Sequence, residues 1–122
     1  MSEPERTQAL LADIAEQLAV CRDLVADGER AFMGSTRTSY MRRRTAERAL
    51  EIVAEASWGL NPEWKRRHPD VPWREMTDMR NKISHDYGEI DHGFVWEVIA
   101  YNIPVVGELL ELSVPSDPYS LP

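Results

Sequence analysis

Residues 11–25 read LADIAEQLAVCRDLV, and their apolar side chains recur at the three- and four-residue steps of an α-helix. The side chains on this face are Leu11, Ile14, Leu18, Cys21 and Val25. The same face continues to Phe32, with Gly28 occupying one position between. The spacing predicts one long amphipathic helix over residues 4–33, ended by the Gly-Ser-Thr sequence at 34–36.

Two further helices are predicted by the same kind of spacing. The second covers residues 40–58, and Gly59 ends it because glycine commonly terminates helices. Residues 63–71 contain a proline and several cationic side chains, so we expect an irregular connection there. Pro72 suits the first turn of a third helix, where its missing N–H costs no hydrogen bond.

The C-terminal part of the chain predicts one more helix and a tail. Asp91 is a good N-cap for this fourth helix, and Pro104 should kink it because proline lacks a backbone donor. Residues 113–122 are rich in proline, and we expect them to form a flexible tail. Because no stretch alternates as a strand does, we predict an all-α, up-down bundle of four to five helices in one domain, residues 1–112.

Composition limits the class of protein. The 122 residues include 43% hydrophobic and 29% charged side chains, so the chain should fold, and pairing with a second copy would help so small a core. Cys21 is the only cysteine, and no apolar run approaches 18 residues. With no secretory segment at the N-terminus, we expect a cytoplasmic protein that does not enter a membrane.

The stretch RNKISHDY, residues 80–87, combines a permanent cation, an imidazole and a phenol. Arg80 can hold a phosphate with two parallel hydrogen bonds. Histidine, here His85, is the side chain best suited to accept and return a proton near neutral pH. RNA supplies its own nucleophile, the 2′-hydroxyl, so this set of groups favours phosphodiester cleavage.

Acidic residues outnumber basic ones by 21 to 14, and the formal charge of −7 argues against nucleic-acid binding. Local charge matters more than the sum, however. Basic side chains cluster at residues 42–48, at residues 65–68 and around the 80–87 stretch. The candidate RNA contacts are Lys65, Arg66, Arg67 and Lys82. An ordinary solvated surface is the alternative interpretation of the first two clusters.

Arg80, His85 and Tyr87 match the Arg-x4-His-x-Tyr motif of HepT-like toxins in the HEPN superfamily, which this chain resembles. The likeness extends in the same order to residues 46–56, 69–76 and 90–97. The resemblance implies a HEPN-type helical bundle that forms homodimers and acts as a metal-independent endoribonuclease without a cofactor. It also implies the role of toxin in a toxin–antitoxin pair, with a minimal nucleotidyltransferase as the antitoxin.

The resemblance also implies roles for the motif residues. Arg80 would stabilise the phosphate and its transition-state charge, His85 would act as general base or acid, and Asn81 would orient the substrate or the histidine. Three roles remain open for Tyr87: packing beneath His85, stacking on RNA, or accepting AMP from the antitoxin, as the family's tyrosine does. AMP there would exclude substrate by its bulk and negative charge.

The spacing within the motif raises a geometric problem. On an uninterrupted α-helix a five-residue step turns about 140°, so Arg80 and His85 would point to different sides. Either the helix loosens near Ser84, or a second protomer completes the site across a two-fold axis. The resemblance favours the second solution.

Two further alternatives concern metals and function. His68 and His92 lack carboxylate or cysteine partners at helical ligand spacing, so we predict no metal site. The competing function is a non-catalytic HEPN-like binding subunit that partners a nucleotidyltransferase. His85→Ala would abolish activity in the first case and leave complex formation intact in both.

Overall fold

A computed structural model describes residues 1–84 and 90–121, apart from the side chain of Ser84. These residues form seven α-helices and one π-helical turn, with no strand among them. The elements are α1 (Glu3–Ala26), α2 (Glu29–Met33), α3 (Arg37–Gly59), α4 (Pro62–Arg66), α5 (Trp73–Ser84), α6 (His92–Glu97) and α7 (Ile103–Leu109), with the π-helical turn Val98–Asn102 between α6 and α7. The prediction of an all-α bundle is confirmed.

The prediction of one continuous helix over residues 4–33 is wrong at Gly28. This residue has φ 96°, a left-handed conformation that glycine adopts without steric cost and other residues rarely adopt. Its N–H donates to the carbonyl oxygen of Val25 at 3.0 Å, which closes a turn between α1 and α2. Phe32 of α2 is nevertheless fully buried, so the change of chain direction at Gly28 leaves this side chain in the core.

Helix α3 begins three residues earlier than predicted and ends at Gly59 as expected. The Thr36 hydroxyl accepts a hydrogen bond from the Ser39 N–H at 3.0 Å and caps the helix. This helix lies at the centre of the bundle, because α1 and α5 both pack against it. The largest fully buried side chains include Phe32, Ile14, Leu50, Leu60 and Ile99.

The expected irregular connection over residues 63–71 is partly wrong, because its first residues belong to α4. Asn61 Oδ1 accepts from the N–H groups of Glu63 and Trp64 at 2.8 and 3.3 Å, and Pro62 occupies the first turn. The chain then turns into α5. The indole Nε1 of Trp73 donates to the carbonyl oxygens of Lys65 and His68, which fastens α4 to the start of α5.

Asp91 caps α6 as predicted, since its side chain accepts from the Phe94 N–H at 3.1 Å. Before Pro104 the helix changes its hydrogen-bond pattern. The Ile103 N–H donates to the carbonyl oxygen of Val98, five residues earlier, as in a π-helix. The change leaves Pro104 in the first turn of α7, where its missing N–H costs no helical bond.

The segment after α7 runs along α1. Arg22 Nη1 donates to the carbonyl oxygen of Pro115 at 2.9 Å, and the Tyr119 hydroxyl donates to Asp23 Oδ2 at 2.6 Å. The domain limits of 1–112 and 113–122, and the flexibility of the tail, remain predictions. No helix within residues 1–84 and 90–121 combines the length and the apolar character needed to span a membrane.

Candidate functional site

The described half of the 80–87 motif lies on the last turn of α5. Arg80, Asn81 and Lys82 are all exposed. The opposite side of the helix is anchored in the core by Met76, Met79 and Ile83. The motif therefore begins on a rigid element that presents its polar residues to solvent, the arrangement that a precisely positioned site needs.

Helix α5 remains helical through Ser84, so the first four of the five steps from Arg80 to His85 follow the helix. His85 and Tyr87 lie outside the described residues. The roles assigned to His85 and Tyr87 therefore remain predictions.

Arg80 and Lys82 do not share a side of α5, because two helical steps place them about 160° apart. Lys82 Nζ lies 5.1 Å from the ring centroid of Phe94 in a cation–π contact. Within the described chain, no carboxylate lies within 4.0 Å of Arg80 or Lys82 in an ion pair. Both cations are exposed, but they lie on different sides of the helix.

The second basic cluster is partly occupied by internal contacts. Lys65 Nζ donates to the carbonyl oxygen of Ser57 at 3.1 Å, near the C-terminal end of α3. Arg66 forms an ion pair with Glu63, and its hydrogen bond holds the pKa of that carboxyl below its usual value. Arg67 is exposed and lines a cavity of about 370 Å³ beside the start of α1.

The structure does not bring this cluster to Arg80. Residues 65–68 contact Trp73 at the start of α5, whereas Arg80 is seven residues further along the helix. Seven helical steps correspond to about 10 Å along the axis. An RNA strand would therefore have to run along α5 to touch both ends.

Sequence reasoning missed a polar group on the buried side of α3. Glu47 is only 5% exposed, and its Oε1 accepts from Arg44 Nη1 at 2.8 Å. This interaction is the main cause that raises the pKa of Arg44. The position of Glu47 between Ala46 and Leu50, both on the apolar edge of the helix, was the available signal.

An apolar depression lies between α5 and the C-terminal helices, and we name it the α5–α7 groove. Its volume is about 450 Å³, and its lining includes Glu75, Asp78, Lys82, Phe94, Tyr101 and Val105. Tyr101 and Val105 are 68% and 49% exposed. The groove thus combines exposed apolar surface with charges of both signs.

Cys21 and the acidic and imidazole side chains offer two other kinds of chemistry, thiol nucleophilicity and metal binding. Burial raises the pKa of the Cys21 thiol to about 12, so it remains protonated at neutral pH and is a poor nucleophile. Residues 1–84 and 90–121 contain no group of three or more His, Cys, Asp or Glu side chains arranged to hold a metal ion. The absence of a metal site remains a prediction.

The model of the family described as "Ribonuclease HepT-like" matches residues 5–112. The chain belongs to the HepT-like family. The match includes every helix from α2 to α7 and most of α1. The resemblance to HepT-like proteins that the motif indicated is therefore confirmed, whereas the matching model does not test individual site residues.

Relatives of this HepT-like chain carry ribonuclease names. "Probable ribonuclease HepT" of Thermococcus cleftensis is 46% identical over 57 residues, 47% of this chain and 52% of the relative. "Putative RNase MJ1380" of Methanocaldococcus jannaschii is 36% identical over 72 residues, 59% of this chain and 66% of the relative. The chain thus spans between half and two thirds of these relatives. No solved structure matches it.

Proposed function

We propose that this HepT-like chain is a metal-independent endoribonuclease, and that it is the toxin of a prokaryotic toxin–antitoxin pair. The observation that carries the proposal is the family match over residues 5–112, which contains the motif. The exposed Arg80 on a core-anchored helix, directly before the segment that holds His85, supports it. The ribonuclease names of two relatives support the same substrate class.

In the proposed reaction, a base removes the proton of the 2′-hydroxyl and the oxygen attacks the adjacent phosphorus. The bond from phosphorus to the 5′-oxygen breaks, and that oxygen leaves after it receives a proton. The products are a 2′,3′-cyclic phosphate and a 5′-hydroxyl. His85 is the proposed proton-transfer group, Arg80 stabilises the charge on the phosphorane, and Asn81 orients the substrate or the histidine.

We place the homodimer contact at the α5–α7 groove. The groove carries Lys82 together with the carboxylates of Glu75 and Asp78, beside the exposed side chains of Tyr101 and Val105. A surface that bears both signs of charge can pair with its own copy about a two-fold axis, cation against carboxylate. This contact would set the two motif helices side by side.

Mixed dimers test whether the site is shared. Arg80→Ala and His85→Ala chains are each expected to be inactive. Random mixing of the two variants makes half of the dimers mixed. If Arg80 of one protomer works with His85 of the other, each mixed dimer has one of its two sites intact. About a quarter of the wild-type activity should then return. No recovery on mixing would contradict a site shared between protomers.

Tyr87 is the proposed site of regulation. Transfer of AMP from ATP by the antitoxin would add bulk and negative charge beside the phosphate site, and would exclude RNA. Incubation with the cognate nucleotidyltransferase and ATP should add the mass of one or more AMP groups, and Tyr87→Phe should prevent the addition. An unchanged mass for the wild-type chain would reject this regulation.

The test of the ribonuclease proposal is cleavage of total RNA in EDTA by the wild-type chain and three variants. His85→Ala should abolish cleavage and Arg80→Ala should lower it by about 10²–10³-fold. Arg74→Ala is the matched control because it removes an exposed arginine from the other end of α5. Circular dichroism checks that each variant folds. No cleavage by an intact wild-type dimer would reject the proposal and favour the binding subunit.

A further inference from the structure

A small cavity lies between the first half of α3 and the start of α6. Its volume is about 250 Å³, and its lining includes Tyr40, Arg43, Arg44, Glu47, Ile90 and His92. The four residues from α3 are spaced i, i+3, i+4 and i+7, so they form one stripe along the helix. A cavity of this size is suited to one planar heterocycle.

Two residues that line this cavity each carry a buried polar atom without a hydrogen-bond partner in the described part of the chain. Glu47 is 5% exposed, and only its Oε1 is bonded, to Arg44. Glu47 Oε2 and His92 Nδ1 are both buried without a partner in the described part of the chain. Buried polar groups of folded proteins are rarely left without a partner, so two of them on residues that line one cavity point to a ligand that bonds both.

The mouth of the cavity has the chemistry that binds single-stranded RNA. Tyr40 is 54% exposed, and the guanidinium carbon of Arg44 lies 5.6 Å from the centre of its ring. An aromatic face can stack on a base, and an arginine can contact the adjoining phosphate. Arg43 is occupied, because its Nη1 donates to the carbonyl oxygens of Phe32 and Gly34.

The cavity adjoins the segment that carries the proposed catalytic histidine. Ile90, one of its lining residues, is five positions after His85. Five residues of fully extended chain span at most about 18 Å, which bounds the distance between the two residues. A base held in the cavity therefore lies within a few nucleotides of the proposed cleavage point.

We propose that this cavity binds one RNA base beside the scissile phosphate, with Glu47 Oε2 accepting a hydrogen bond from an exocyclic amino group of the base. The proposal rests on the proposed ribonuclease function and adds a specificity-determining residue to it. A carboxylate only accepts, so Glu47 favours cytosine, adenine or guanine over uracil, which has no amino group. His92 Nδ1 bonds the neighbouring ring atom.

The test compares cleavage of otherwise identical RNA oligomers that carry cytosine or uracil at each position around the cleaved bond. The wild-type chain should prefer the amino-bearing base at one position by about tenfold or more. Glu47→Gln should reduce that preference to about twofold or less, because an amide can donate as well as accept. Glu51→Gln, which changes an ion-paired carboxylate one turn further along α3, should retain it.

The outcomes distinguish failure of the proposed base site from failure of the ribonuclease proposal. Equal slowing of every oligomer by Glu47→Gln, with the base preference intact, would overturn the proposal because Glu47 would then serve only the fold. If the wild-type chain cleaves nothing, the ribonuclease proposal fails, and fluorescence anisotropy with oligocytidylate and oligouridylate tests the cavity. Tighter binding of oligocytidylate that depends on Glu47 supports the cavity, and equal binding overturns it.

A second variant covers the case in which Glu47→Gln does not fold. Tyr40→Leu changes an exposed ring at the mouth and leaves the core untouched. Loss of stacking should weaken binding of every oligomer by about tenfold, since base–aromatic stacking is worth about 1–3 kcal/mol. Unchanged affinity in Tyr40→Leu would overturn the base site.

Discussion

The two basic regions at opposite ends of α5 use their charges differently. At the start of the helix, Lys65 bonds the Ser57 carbonyl oxygen and Arg66 pairs with Glu63. At the end of the helix, Arg80 is exposed and forms no ion pair with a described carboxylate. A run of basic residues therefore does not identify a phosphate site, because the donors must also be available.

The largest effect expected from this difference is at Arg80. Arg80→Ala should lower kcat/KM for RNA cleavage in EDTA by about 10²–10³-fold, as loss of a transition-state donor does. Arg80→Lys should recover only part of the loss, since an ammonium lacks the planar fork that bonds two phosphate oxygens. Full activity of Arg80→Lys would show that charge alone is required at this position.

A smaller difference, in RNA affinity, is expected between substitutions of Arg67 and Arg66 in the basic region at the start of α5. Arg67→Ala should weaken RNA binding several-fold at low salt and have little effect at high salt, because each phosphate contact adds to the salt dependence. Arg66→Ala should change affinity less, since its charge is already paired. Fluorescence anisotropy across a salt series measures both variants, and equal effects would contradict the distinction.

Lys65 is expected to affect stability and not cleavage. Lys65→Met keeps the length of the side chain but removes the donor to Ser57, so the free energy of unfolding should fall by about 1 kcal/mol. Urea unfolding provides the value, and the cleavage rate in EDTA should stay within about twofold of wild type. A large loss of cleavage by a folded Lys65→Met chain would place Lys65 among the RNA contacts instead.

The smallest effect concerns the pH dependence of the pair between Arg66 and Glu63. Arg66 lowers the pKa of the Glu63 carboxyl, so the folded state favours the ionised form. The pair's contribution is present above the ordinary glutamate pKa of about 4.5 and disappears as pH falls through the lower, folded value. NMR titration should show the Glu63 pKa rising in Arg66→Ala, and an unchanged pKa would contradict the pairing.

Periodicity predicted where the chain is helical, and it failed where one residue changes the path of the backbone. The apolar face from Leu11 to Phe32 keeps its helical spacing, so nothing in that spacing shows that Gly28 adopts φ 96°. Helix α4 was missed for a related reason. Its signal is a cap, Asn61 followed by Pro62, and a five-residue helix is too short to show a period.

The candidate functional residues also fall into two groups, those that the sequence could predict and those that it could not. The motif could be read from the sequence because Arg80, His85 and Tyr87 lie within eight residues. The cavity with Glu47 and His92 could not, because its two unsatisfied atoms come from α3 and α6, 45 positions apart in sequence. Only folding brings such residues together.

The most direct test of the central claim is end-group analysis of RNA after incubation in EDTA with the wild-type chain and with folded His85→Ala. The wild-type chain should produce 2′,3′-cyclic phosphate and 5′-hydroxyl ends, and His85→Ala should produce neither. Cleavage that persists in His85→Ala, or that leaves 3′-hydroxyl and 5′-phosphate ends, would contradict the proposed attack by the 2′-hydroxyl.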